Sequence, residues 1–189
     1  DAYNAEAAEL AWARTLAFLA EQLPEKDEPL PSDMAELLAR IEQGWGELQG
    51  ALAGRSDAKL TAPGREGWSV KEHLAHVTFW ERLLLESYLG GRPVPEVAEM
   101  DEAALRDMDA MNAVVAERSR ARSLQEVMAD SRAVHEALVA KLGSQPFEAW
   151  MRPRHADDPD ERPLMLWIAG NTYGHYGEHA GYIHEALNR

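Results

Sequence analysis

Hydrophobic residues recur every three or four positions along most of the chain, which is the spacing of amphipathic helices. The runs of alternating β-branched residues that would predict strands do not occur. Ser69 with Glu72 and Ser123 with Glu126 have the spacing of capping boxes, which places a helix start at each serine. The pattern predicts an all-α protein with six helical stretches, at about 2–22, 32–53, 69–90, 101–118, 123–142 and 163–187.

The helical stretches also predict how the chain is divided. Counting 101–142 as one broken arm, four long stretches from residue 32 onward carry an apolar stripe, and a four-helix bundle buries four such stripes together. The first stretch is followed by a segment, 24–31, that contains three prolines. We therefore expect an extra N-terminal helix and a proline-rich linker over residues 1–31, and the bundle over residues 32–189.

Composition narrows the possible partners and locations. The net charge is −14, with 33 acidic against 19 basic residues. Without a segregated basic patch such a surface repels nucleic acid, so we expect no nucleic-acid partner. No apolar run approaches the roughly 20 residues of a membrane span. The acidic first residues lack the basic start of a signal peptide, so we expect a cytoplasmic protein without a membrane partner.

Histidines supply the candidate chemistry. His175 and His179 are four residues apart and share the apolar face of the last helix. Neutral imidazoles on a buried face need partners, which can be a metal ion or neighbouring side chains. The third helix offers His73 and His76, between which periodicity alone slightly favours His73. Since the chain has no cysteine, any metal must be bound by nitrogen and oxygen ligands.

Four glycines fall on one side of the last helix, and each costs a helix up to about 1 kcal/mol relative to alanine. This pattern indicates the close approach of another backbone, either a neighbouring helix or a second subunit. The alternative is that they are incidental small residues on a solvent-facing side. The four residues are Gly170, Gly174, Gly177 and Gly181.

Other side chains are candidates for the surroundings of the site. Asn112 shares an apolar helix face, so we expect it to point inward, where it either caps a loop or contacts the pocket. Glu178 is either a hydrogen-bond partner of an imidazole or an exposed carboxylate. Trp80 and Tyr182 are predicted to belong to the core. The loop before the last helix could meet an anionic substrate or a thiol cofactor, or it could be solvated; its candidate residues are Arg152, Arg154 and His155.

Two segments resemble a known family. GWSVKEHLAHVTFWE, residues 67–81, resembles the second bundle helix of the DinB-like superfamily, and GNTYGHYGEHAGYI, residues 170–183, resembles its last helix. Asp109–Asn112, followed by the capped helix from Ser123, resembles the middle of the family, particularly its DfsB-like branch. The resemblance covers roughly residues 32–187.

The resemblance implies a four-helix bundle, often dimeric, in which three histidines bind one divalent metal ion. The family's ligands match His76, His175 and His179, which favours His76 over His73. Zinc or nickel is the expected metal, and iron or cobalt would also suit three imidazoles. Asn112 and Arg154 are the residues we expect at a cofactor in the pocket.

The resemblance also implies a class of activity. Three protein ligands leave coordination positions open, which is typical of catalytic metal sites. The implied function is activation of a low-molecular-weight thiol or water against a small electrophile, in a transferase, isomerase or hydrolase. Because the chain has no cysteine, the thiol would be a cosubstrate. The alternatives are a bundle that sequesters a small molecule or toxin without turnover, and a structural helical dimer without metal.

Overall fold

A computed structural model describes residues 29–64, 67–153 and 162–187. The predicted N-terminal helix lies outside the described residues. No described helix combines the length and the apolar character that crossing a membrane requires. The helices in chain order are α1 Met34–Leu52, α2 Asp57–Thr61, α3 Val70–Arg82, α4 Val94–Ala98, α5 Glu102–Leu105, α6 Met108–Arg120, α7 Leu124–Gly143, α8 Met165–Asn171 and α9 Tyr173–Leu187, with a π-helical continuation of α3 at Leu83–Tyr88 and a 3₁₀ turn at Phe147–Ala149.

Four of these helices form the bundle that the sequence predicts. α9 packs against α1 and α3, and α7 packs against α3 and α1, so the four helices enclose a common core. In α1 the buried Leu37, Ile41 and Leu48 follow the predicted spacing. The all-α bundle is confirmed. The predicted arm 101–142 contributes only α7 to the four-helix ring, because α6 packs outside it against α3.

Both predicted capping boxes are present. The Ser69 side chain accepts a hydrogen bond from the backbone N–H of Glu72, and the Glu72 carboxylate accepts one from the backbone N–H of Ser69 at 2.6 Å. Ser123 and Glu126 form the same pair at the start of α7. Arg120 also donates to Glu72, at 2.7 Å, which ties the end of α6 to the start of α3.

The predicted single helix at 101–118 is wrong, because this part of the chain forms α5 and α6, preceded by the short α4. Asp101 caps α5 by accepting from the backbone N–H of Ala104 at 2.8 Å. Asp107 caps α6 by accepting from the backbone N–H groups of Asp109 and Ala110. Aspartate is more favourable at a helix N-cap than inside a helix, so two caps in close succession break the segment.

The last predicted helix, 163–187, is interrupted at Thr172, whose backbone angles are φ −124° and ψ −112°. The Thr172 hydroxyl donates to the carbonyl of Ile168 at 2.6 Å. The Asn171 amide donates to the carbonyl of Trp167 at 2.8 Å. These side chains occupy carbonyls at the end of α8, where local side-chain hydrogen bonds compete with continued helix. As a result, His175 lies in the first turn of α9.

The glycines of the last helix do not face a neighbouring helix within the described chain. All four are exposed, and a Cβ atom added at Gly177 or Gly181 would meet nothing within 4 Å. The close approach comes from the facing helix instead. A Cβ atom at Gly44 of α1 would lie 3.1 Å from Cδ2 of Tyr176 and 3.3 Å from Cα of Tyr173. Gly174 alone lies close to other backbone, since an added Cβ atom would be 3.1 Å from the carbonyl oxygen of Ala169 in the preceding α8. The interpretation that a helix packed alongside requires these glycines is therefore wrong, and the alternative of a second subunit stays a prediction.

Candidate metal centre

Three imidazoles converge from two helices of the bundle. α3 carries His76, and α9 carries His175 and His179. Each ring offers one nitrogen, and these three nitrogens all lie within 4.8 Å of one another. Nε2 of His76 and Nε2 of His175 are 3.1 Å apart. Two nitrogens bound to one tetrahedral ion at about 2.0–2.1 Å would be roughly 3.3 Å apart, so the observed separation suits a shared ion.

The environment keeps the three imidazoles neutral. Burial, together with the nearby His175 and His73, lowers the pKa of His76 to about 3. Burial lowers the pKa of His175 to about 4. Burial, together with the surrounding imidazoles, lowers the pKa of His179 to about 2. Only a neutral imidazole has a nitrogen lone pair to donate, so at neutral pH all three rings are in the form that binds metal.

The charged surroundings of the triad also fit a cation. The ring nitrogens opposite the approaching Nε2 atoms, Nδ1 of His76 and Nδ1 of His175, are buried and have no hydrogen-bond partner among the described residues. Within the described ranges no carboxylate forms an ion pair with any of the three rings. Three neutral nitrogen donors without a carboxylate partner are a suitable ligand set for zinc, nickel, iron or cobalt.

His73 lies beside the triad but does not share its point of convergence. Its Nδ1 is 3.0 Å from Nδ1 of His179. Its ring stacks on Tyr182, with 5.7 Å between the ring centroids and 21° between the planes. Helical periodicity had slightly favoured His73 as the third ligand, whereas the geometry brings His76 together with His175 and His179. His73 instead contacts one of the three candidate ligands.

A cavity of about 750 Å³ opens onto the imidazoles. Aromatic side chains from several elements form much of its wall, among them Trp68, Trp80, Trp167 and Tyr182. Tyr182 is 41% exposed, so its predicted place in the core is wrong. Trp80 is half-buried and lines the same cavity. The histidines therefore face a space large enough for a small organic molecule.

Of the other candidate residues, some line the cavity and others lie away from it or outside the described residues. Asn112 lies on the cavity wall, and its Oδ1 is buried without a hydrogen-bond partner among the described residues. Glu178 is exposed and accepts a hydrogen bond from the Tyr182 hydroxyl at 3.2 Å, so it is not a partner of an imidazole. Arg152 is exposed. Arg154 and His155 lie outside the described residues. The roles of Asn112 and Arg154 at a cofactor stay predictions.

Sequence reasoning missed a second polar cluster in the core. Glu81 is fully buried, and one of its carboxylate oxygens, Oε1, accepts a hydrogen bond from the Tyr176 hydroxyl. Nδ1 of His135 is 3.2 Å from the same oxygen. The His135 ring stacks on Trp45 at a centroid distance of 4.0 Å. Burial raises the pKa of Glu81, although its hydrogen bonds act in the opposite direction.

A signal for this buried network was present in the sequence. Leu74, Val77 and Leu84 are buried on one face of α3 and its continuation, and Glu81 has the matching spacing on that face. A charged residue in an apolar stripe requires buried partners. Its partners could not be identified from the sequence, because His135 and Tyr176 come from α7 and α9, 54 and 95 residues away.

Solved structures share this fold at low sequence identity. An uncharacterised protein from Escherichia coli UTI89 aligns with a TM-score of 0.66 and 18% identity, over 84% of this chain and 95% of its own. A structure described as sibling lethal factor precursor, DfsB, gives 0.68 and 17%, over 81% and 94%. A Streptococcus pneumoniae protein gives 0.66 and 17%, over 84% and 93%.

The sequence itself places the chain in a family. Comparison with curated proteins gave no match. The family model of the DinB superfamily matches residues 40–183, which include most of the four-helix ring and all three histidines of the candidate metal centre. The chain therefore belongs to the DinB superfamily.

Proposed function

We propose that this protein is a metal-dependent enzyme in which His76, His175 and His179 bind one divalent ion, zinc or nickel. The proposed reaction is attack of a low-molecular-weight thiol, or of water, on a small electrophile held in the cavity. The observation that carries the proposal is the convergence of three neutral imidazoles at a cavity of about 750 Å³.

The open coordination of the site supports catalysis over a purely structural role. Structural zinc is usually closed by four protein ligands, whereas three leave a position for a reactant. A divalent ion bound by neutral ligands keeps its full charge and lowers the pKa of a coordinated thiol or water toward neutrality. The chain has no cysteine of its own, so a thiol nucleophile has to arrive as a cosubstrate.

The residues of the chain supply binding and positioning. The two α9 histidines are four residues apart on one helix face, and His76 faces them from α3, so the packing of two rigid helices sets the ligand geometry. Aromatic rings such as Trp80 and Trp167 offer apolar surface to the body of a substrate. The buried Oδ1 of Asn112 is an unpaired acceptor for a donor group at the cavity wall.

Metal content tests the first half of the proposal. Protein purified without a nickel column should contain about one equivalent of metal by mass spectrometry, and His175→Ala should weaken binding by about 100-fold or more. His184→Ala is the matched control, because His184 is exposed on the same helix. Less than about 0.2 equivalents, with a wild-type stability that added metal leaves unchanged, would overturn the proposal.

A thiol panel tests the second half. Glutathione, mycothiol and bacillithiol are each incubated with a generic aromatic electrophile and with metal-loaded or chelator-treated protein. We expect metal-dependent consumption of the electrophile with at least one thiol, and its loss in His175→Ala. A metal-loaded protein that turns over neither these thiols nor water would contradict catalysis and leave small-molecule sequestration as the function of the site.

A further inference from the structure

Apart from the histidines, the cavity wall consists of aromatic rings, one methionine, two amides and two carboxylates. The carboxylates are those of Asp109, in the first turn of α6, and Glu178, on α9. Among the described residues that line the cavity, none is lysine or arginine. All the fixed charge that this part of the lining supplies is therefore negative.

Neither carboxylate is neutralised within the described chain. Both side chains are exposed, and the Glu178 contact is the neutral hydroxyl of Tyr182, at 3.2 Å. No ion pair of the described residues includes Asp109 or Glu178. An anionic ligand would be repelled by both charges, whereas a cationic ligand would be attracted by both.

The aromatic wall has the same preference. The face of an aromatic ring is the negative end of its quadrupole and attracts cations within about 6 Å. Trp167 already has such a partner on one side, since the Arg162 guanidinium lies 5.6 Å from its ring centroid. Trp80 and Tyr182 present further rings to the cavity.

The amide of Asn112 adds an unsatisfied acceptor. Its Oδ1 is buried and has no hydrogen-bond partner among the described residues, although the side chain lines the cavity. A buried acceptor without a partner costs free energy, and a donor group could recover it only after the amide turns toward the cavity. The carboxylates and the ring faces are complementary to a positively charged group.

We propose that the cavity binds a small organic cation, an ammonium group carried on an apolar or aromatic body, and discriminates against anionic ligands of the same size. The inference rests on the proposed function only in treating this cavity as the site of the electrophilic substrate, and the charge preference concerns that substrate, not the thiol cosubstrate. The imidazole end would bind a metal ion, and the ammonium group would lie toward Asp109 and Glu178.

Three ligands of matched size test the proposal: 2-phenylethylammonium, 2-phenylethanol and phenylacetate. Their dissociation constants are measured by calorimetry on the full chain, both treated with chelator and loaded with zinc. For the chelator-treated protein we expect the cation to bind about tenfold more tightly than the alcohol, and phenylacetate to bind most weakly. The double variant Asp109→Asn/Glu178→Gln should bring the cation and the alcohol within about twofold of each other.

The matched control is Glu185→Gln, which removes an exposed carboxylate from the same helix at a position outside the cavity lining. It should leave all three affinities unchanged. Phenylacetate binding as tightly as the cation, an unchanged preference in the double variant, or no measurable binding of any of the three would overturn the proposal. Metal content is measured on the same samples, so a protein that holds one ion but prefers phenylacetate refutes this inference and leaves the proposed metal site standing.

Discussion

The bundle contains two buried groups that include histidine, the triad at the cavity and the network of His135 with Glu81 and Tyr176, and the two groups differ in their partners. His76, His175 and His179 meet at the cavity without a carboxylate ion pair in the described chain. His135, on α7, is as buried as His76 and His179, but its Nδ1 lies 3.2 Å from the Glu81 carboxylate, and its ring stacks on Trp45. Two helices contribute side chains to both groups. α3 carries His76 and Glu81, and α9 carries Tyr176 next to His175.

The difference shows what makes a buried imidazole available to a metal ion. A carboxylate that hydrogen-bonds to a buried imidazole fixes the orientation of the ring and the position of its proton. The pair then contributes to the packing of the core. A set of imidazoles that contact one another has no internal acceptor of comparable strength, and their pKa values fall. Burial alone does not separate the two groups, whereas the presence of a carboxylate partner does.

The largest expected effect that distinguishes the two groups is the pH dependence of stability. Ordinary histidines protonate near pH 6.5, whereas the folded-state pKa values of the triad are about 3, 4 and 2. Between these limits the unfolded chain binds more protons than the folded one, so stability falls as the pH falls below 6.5. Each imidazole contributes up to about 1.4 kcal/mol per pH unit in that window. Urea titrations of chelator-treated protein from pH 7.5 to 5 measure this slope.

The triad can be separated from other titrating groups in the same experiment. His179→Gln should reduce the slope by about one proton between pH 6.5 and 5, and His184→Ala, which removes an exposed ring, should change it little. A wild-type stability that stays flat or rises as the pH falls would contradict the neutral, buried state of the three rings.

The second prediction concerns the buried network. Glu81→Ala leaves the Tyr176 hydroxyl and Nδ1 of His135 without their shared acceptor in the core. We expect a loss of about 3 kcal/mol in the free energy of unfolding. Denaturant titration measures the loss, and Glu178→Ala, which truncates an exposed carboxylate, should stay within about 0.5 kcal/mol of wild type.

The same Glu81→Ala protein should still bind one metal ion, with an affinity close to that of the wild type at a temperature where it is folded. Loss of metal binding would show that the network positions the triad, and the division between a structural and a binding group would then be wrong. A cost below about 1 kcal/mol would show that the network contributes little to stability.

The sequence predicts features that depend on neighbouring residues. Capping at Ser69 depends on a residue three positions away, and the pairing of His175 with His179 depends on one helical turn, so both were predicted and both are present. The choice between His73 and His76 depends on how α3 is rotated against α9. Periodicity alone did not determine that rotation, and the family resemblance supplied it.

Features that depend on the meeting of distant elements were not predicted. The Glu81 network joins three helices, and its one signal in the sequence is an acidic residue on an apolar helix face. One local feature was missed as well: the helix is interrupted at Thr172, where the side chains of Asn171 and Thr172 hydrogen-bond to carbonyls four residues back in α8, which helix propensity does not register. The close contact of α1 with α9 uses Gly44, whereas the sequence drew attention to the glycines of α9.

The third prediction concerns His73, which contacts one of the three candidate metal ligands. Nδ1 of His73 is 3.0 Å from Nδ1 of His179, so it restrains the orientation of that ring. Partners of metal-bound histidines typically contribute 10–100-fold to metal affinity. We expect His73→Ala to weaken zinc binding about tenfold in a competition with a chelator, without changing the stoichiometry. An effect as large as that of His175→Ala would make His73 a ligand, and an unchanged affinity would leave it a packing residue only.

A last, comparably small effect is expected from a pair of glycines in α1. A Cβ atom at Gly44 would lie 3.1 Å from the Tyr176 ring, whereas one at Gly46 would meet nothing within 4 Å. Gly44→Ala should cost about 1–2 kcal/mol because the packed ring has to shift. Gly46→Ala should gain about 0.5–1 kcal/mol through helix propensity.

Both glycine variants also test whether the two groups are mechanically independent. Tyr176 hydrogen-bonds to Glu81, so pressure from residue 44 acts first on the buried network. The triad lies on the same helix, but its geometry is set by contacts with α3, so zinc affinity of Gly44→Ala should stay within about threefold of wild type. A zinc affinity that falls together with the stability would mean that α9 transmits the displacement from Tyr176 to its neighbour His175. The buried carboxylate of Glu81 would then support both the core and the metal centre.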